Sequence, residues 1–87
     1  MPLSNKIYTK RWTMTTLEQI QKSLSEALKQ SGMKQVDLAK KLGVNQSMIS
    51  HYLSGRRMPA LDTLSNLCSI LDLDANEILC VQREKDY

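Results

Sequence analysis

The run from Gln35 to Gly55 constrains the chain most, because its residues suit two short helices joined by a tight turn. Leu38, Ala39 and Leu42 stand at i, i+1 and i+4 and give the first helix one apolar face. Gly43 follows at once, the residue that best tolerates the left-handed backbone ending a helix. Val44 plugs the turn, and Asn45 can accept a hydrogen bond from the first free amides of a second helix. That second helix is expected to turn Ile49 and Leu53 inward at i, i+4 and to stop at Gly55. Its other face holds Gln46, Ser47, Ser50, His51 and Ser54, short or planar hydrogen-bonding groups with no acid among them. Such a face makes a poor core and a good reader of base edges.

Gln35 through Pro59 resembles the helix-turn-helix of the XRE family, the phage Cro and repressor type. The residues that carry the resemblance are Gln35, Leu38-Ala39, Leu42-Gly43-Val44, Gln46-Ser47, Ile49-Ser50, Gly55 and Pro59, closed by the Gly-Arg-Arg-Met-Pro exit. With flanking helices it extends from Thr16 to Leu79. It implies an all-α fold, a compact orthogonal bundle of five helices of the lambda-repressor-like kind. Three positions depart from the family pattern. Lys34 and Ala60 stand where relatives carry hydroxyl caps, a loss of about 1 kcal/mol at the Lys34 helix start. Leu53 replaces a glutamate that pairs with a basic residue, and Leu28 falls at the partner position, so an apolar contact replaces a buried ion pair.

The remaining helices are read from periodicity. Thr16 with Gln19, or Thr15 with Glu18, has capping-box spacing, and Leu17, Ile20, Leu24, Ala27 and Leu28 then form one apolar stripe ending at Ser31-Gly32. Pro59 prevents the motif's second helix from running on. A fourth helix is expected over Leu61 to Leu71, with Leu61, Leu64, Leu67, Cys68 and Leu71 facing the core. Asp74 with Glu77 has capping-box spacing and opens a short fifth helix with Ile78 and Leu79 inward. The organisation expected is a flexible basic arm at 1–14, a helix-turn-helix domain at 15–80 and a polar tail at 81–87.

Composition excludes several classes. Two cysteines, Cys68 and Cys80, are too few for a disulfide scaffold and lack CxxC spacing; both are expected as small buried thiols on helices. No apolar run approaches the ~20 residues of a membrane span. The start carries no apolar h-region, so a cytoplasmic chain is expected. The net charge of +3 is unevenly divided. Residues 33–59 carry Lys34, Lys40, Lys41, Arg56 and Arg57 against Asp37, a surplus of +4, whereas residues 60–87 carry −4. A positive surface with an acidic back suits a polyanion.

Catalysis has little to stand on: the single histidine has no carboxylate or cysteine near it in sequence, and no glycine-rich loop or metal-ligand cluster appears. No catalytic residue, metal or cofactor is assigned. The resemblance places the motif's second helix in the major groove and its first across the backbone. Carried over by position, Gln35 bonds a phosphate and buttresses the reading helix, and Asn45 lies near a phosphate. Gln46, Ser47, Ser50 and His51 fall where relatives reach base edges, with Gln46 suited to adenine N6 and N7 together. Ser54, Arg56 and Arg57 contact the backbone or an adjacent minor groove. Nothing in the sequence fixes the tautomer of His51.

The function expected is a sequence-specific transcriptional regulator, a repressor, binding double-stranded DNA as a homodimer through the fifth helix and tail, around Leu73, Ile78, Val81 and Tyr87. Those residues equally suit the completion of a core. Two alternatives stay open: an antitoxin that uses the same DNA-binding domain and also holds a toxin partner, and a protein-interaction adaptor that binds no DNA.

Overall fold

The computed structural model describes residues 14–82, and among them five helices and no strand. They are α1 (Leu17–Gln30), α2 (Gln35–Leu42), α3 (Gln46–Ser54), α4 (Leu61–Leu71) and α5 (Ala75–Ile78). The all-α bundle of five helices is therefore found. The rest of the expected arm and tail, Tyr87 included, lies outside the described residues. No described helix is long and apolar enough to cross a membrane.

Of the two capping boxes that spacing allows at α1, Thr16 with Gln19 forms. The Gln19 amide donates to Thr16 Oγ1 at 3.2 Å, and the Thr16 amide donates to Gln19 Oε1 at 2.9 Å. Thr15 bonds across the fold instead, its hydroxyl donating to the Cys80 carbonyl at 3.1 Å. The Ser23 hydroxyl donates to the Glu77 carbonyl at 3.2 Å. One hydroxyl just before α1 and one within it thus fasten this stretch to α5 and the residue pair that follows it. α1 packs on α3 and α5, and α2 packs on α3 and α4. Leu24, Ile49 and Leu67 sit deepest, each no more than 1% exposed, where burial of one such side chain contributes about 1.5–3 kcal/mol. Leu28 is buried and Leu53 half-buried against the same core.

Five expectations need correction or addition. Leu17 is 70% exposed, because the α1 stripe runs past the four-residue α5 that covers this end. Leu61 is 81% exposed at the edge of the α4 stripe, where it rims an open groove of about 450 Å³ between α4 and α5. In α3 Ile49 and Leu53 do turn inward, but Tyr52, which the periodicity does not give, is buried more deeply than Leu53. Asp74 caps α5 by accepting from the Asn76 amide at 2.9 Å, and no reciprocal bond from Glu77 completes a box. Cys80 lies beyond α5, half-buried, with a left-handed backbone at φ 55°, whereas Cys68 is buried in α4 as expected.

Candidate nucleic-acid interface

The turn between α2 and α3 is closed by backbone bonds. Gly43 adopts φ 79°, and the amides of Gly43 and Val44 both donate to the Ala39 carbonyl, at 2.9 and 3.0 Å. Only a residue without Cβ takes that backbone without strain. Lys34, at the start of α2, makes no side-chain cap, as its chemistry dictates. Gln35 is half-buried in the first turn of α2.

Asn45 opens α3. Its Oδ1 accepts from the Met48 amide at 2.9 Å and from the Ser47 hydroxyl at 2.7 Å. The amides of Gln46 and Ser47 precede any intrahelical partner, and the first turn of α3 carries no acid. That end is therefore open to an anion. Gln46, Ser47, Ser50 and Ser54 are all exposed. On a wheel of ~100° per residue they fill one contiguous face opposite Ile49 and Tyr52.

His51 departs from that face. His51 is half-buried, unlike the exposed residues of that face, with its Nδ1 buried and without a hydrogen-bond partner. Its carbonyl gathers the end of the helix. The amides of Gly55, Arg56 and Arg57 donate to it, the last two at 3.0 and 3.3 Å, and so does the Ser54 hydroxyl at 3.3 Å. The backbone of both arginines is thereby pinned to the last turn of α3 while their side chains remain exposed. Lys40 and Lys41 are exposed in the last turn of α2, and Asp62, Asp72, Asp74 and Glu77 are exposed on α4, α5 and the turn between them.

The structure thus gathers Asn45, Gln46, Ser47, Ser50, Ser54, Arg56 and Arg57 on or beside one helix, sets His51 at its edge, and leaves Gln35 on the neighbouring helix. The open amides of Gln46 and Ser47 are functional groups that the side-chain pattern does not announce, though an asparagine cap with no acid after it is their signature. Among the described residues no group of three or more His, Cys, Asp or Glu could hold a metal ion.

A family model described as helix-turn-helix matches residues 24–78. Over 53 residues the chain is 32% identical to the ImmF control region 10 kDa protein of Bacillus phage phi105, covering 61% of this chain and 59% of that protein. Over 41 residues it is 49% identical to an uncharacterised helix-turn-helix-type transcriptional regulator of Archaeoglobus fulgidus, covering 46% of this chain and 18% of the relative. The chain therefore spans less than two thirds of either relative's length. A crystal structure of a transcriptional regulator from Listeria innocua superposes with a TM-score of 0.63 at 27% identity, covering 77% of this chain and 63% of that one.

Proposed function

This chain belongs to the XRE-type helix-turn-helix family, and from that premise we propose that it is a sequence-specific, double-stranded-DNA-binding transcriptional regulator. In this reading α3 lies in the major groove, α2 crosses the backbone, and two copies act as a homodimer that represses. One observation carries the reading: the acid-free polar face of α3, with two open amides at one end and Arg56 and Arg57 at the other. Polar groups for base edges stand between cationic and amide groups for phosphates, so sequence reading and charge attraction are supplied by one short helix. A phage control-region protein and two transcriptional regulators among the similar proteins support the same assignment. A single reading helix spans few base pairs, which is the physical reason for proposing two copies on a two-fold site.

Selection of bound sequences from random duplex DNA, followed by a salt titration on the winner, tests the proposal. A dimer making ~6–10 phosphate contacts loses about 10³–10⁵ in affinity between roughly 50 and 200 mM salt. Enrichment of a two-fold sequence with that slope supports a dimeric reader. No enriched sequence and no binding to any duplex would leave the fold with a protein-binding role instead.

A further inference from the structure

Resting on the DNA-reading proposal above, we infer that α3 carries a pre-set hydrogen-bond polarity. Ser47 offers a bound partner only acceptor lone pairs, and His51 offers only an Nε2–H donor.

The polarity of Ser47 follows from a chain of two bonds. A backbone amide can only donate, so the Asn45 atom that receives the Met48 N–H at 2.9 Å is the side-chain oxygen and not the amide nitrogen. The Ser47 Oγ lies 2.7 Å from that same oxygen. An oxygen carrying no proton cannot donate back, so the Ser47 hydroxyl proton occupies the bond. What Ser47 shows outward is its lone pairs. A base edge facing it must donate: adenine N6 or cytosine N4 in the major groove. Thymine O4 and guanine O6 would set lone pair against lone pair.

His51 has the opposite polarity for a different reason. A neutral imidazole carries one N–H and one bare nitrogen. Nδ1 is buried with no partner, whereas Nε2 is not among the buried atoms left without one. A proton on Nδ1 would bury an unpaired donor, an arrangement rarer in folded proteins than an under-used acceptor. The proton therefore sits on Nε2 and faces outward. Its complement is an acceptor: a purine N7, guanine O6, thymine O4 or a phosphate oxygen. The sequence leaves this tautomer open; burial of one ring nitrogen decides it.

Two experiments test the inference. In the first, long-range ¹H–¹⁵N NMR of the free protein at a pH of about 8.5, two units above the ordinary histidine value, reports the tautomer without any DNA. The chain has one histidine, so the signal needs no assignment. Nε2–H is expected in excess by about tenfold or more. A majority of Nδ1–H overturns the His51 half. In the second, the selected duplex is varied at the base pair where Ser47→Ala relaxes selectivity. Deleting the exocyclic amine there should weaken the wild type by about three- to tenfold and leave Ser47→Ala unchanged. Equal weakening of both proteins, or a Ser47-dependent effect from deleting a carbonyl oxygen or N7 instead, overturns the Ser47 half. His51→Ala then separates the two acceptor sources: a loss confined to one base pair marks a base, and an equal loss on every duplex marks a phosphate. Failure to select any duplex sinks the DNA-reading proposal, while the NMR result still decides the His51 half.

Discussion

The Ser25 hydroxyl donates to the Leu53 carbonyl at 2.8 Å, joining the middle of α1 to the last turn of α3. Leu53 holds one of the four final carbonyls of α3, which have no amide partner further along the helix. The Arg56 and Arg57 amides that follow are both directed to His51 instead. Ser25 is also the one buried polar residue among those described, at 7% exposed. The bond therefore helps to set how α3 seats on α1, and with it which face of α3 is left outward.

Ser25→Ala removes the donor and strands that carbonyl. A loss of about 1–2 kcal/mol is expected, read as a lower urea midpoint at unchanged slope. A loss below about 0.5 kcal/mol would mean that water replaces the hydroxyl and that packing alone seats the helix.

Gly43→Ala and Gly55→Ala form a matched pair. Both glycines have left-handed backbones, at φ +79° and +83°. An added methyl meets nothing within 4 Å at Gly43, but it meets Gln21 Cδ and Nε2 at 2.7 Å at Gly55. Backbone strain costs about 1–2 kcal/mol at either site. Gly55→Ala should lose a further 0.5–1 kcal/mol or so, the cost of moving a flexible side chain off its preferred rotamer. Urea unfolding of both variants in a Gln21→Ala background checks this: the extra loss should vanish there. Its persistence would locate the strain in the backbone alone.

Burial, assisted by the Asp74 carboxylate, pushes the Cys68 thiol above its ordinary value. The folded state therefore holds that proton at pH values where an unfolded thiol has lost it. This contribution to stability is complete below the ordinary thiol value of about 8.5 and is lost as pH rises through the raised folded value. Unfolding midpoints measured from pH 7 to 10 should fall at the alkaline end, and Cys68→Ala should flatten the fall. In the native protein at pH 8, an alkylating reagent should modify half-buried Cys80 well before Cys68.

How much of the fold and the interface is legible in the sequence depends on what each residue competes with. Gly43, Asn45 and Gly55 are legible because local backbone chemistry alone assigns them, and no tertiary contact needs to be known. Leu17 and Leu61 are not, because a stripe at helical spacing says which side is apolar and not where the covering neighbour ends. Tyr52 escapes a sequence reading because leucine at i+4 from Ile49 outranks an amphipathic ring on hydrophobicity, whereas the ring is buried in the core. Cys80 reads as helical because its apolar neighbours continue past Ile78, but the chain takes a left-handed turn there. The polar members of the candidate interface can be named from sequence. Their hydrogen-bond directions cannot, since those follow from the Asn45 cap and the burial of one imidazole nitrogen.

The last prediction separates reading from positioning along α3. Gln46 is exposed in its first turn and is proposed to bond one base edge with both amide atoms. Arg56 is exposed just past its end and is proposed to meet a phosphate. Gln46→Ala removes a bond whose strength depends on the base, so it should cost about 1–3 kcal/mol on the preferred site and relax selectivity at one base pair. Arg56→Ala removes a charge that every duplex sees alike. It should weaken specific and random duplexes equally and make the salt slope shallower by about one unit per subunit. Neither side chain is part of the core, so folding stability should change by less than about 0.5 kcal/mol in both variants. Affinities on the selected site, on its single-base variants and on random DNA decide between the two roles. Equal weakening of all duplexes by Gln46→Ala would place that side chain on the backbone, and the reading face would then centre on Ser47 and Ser50.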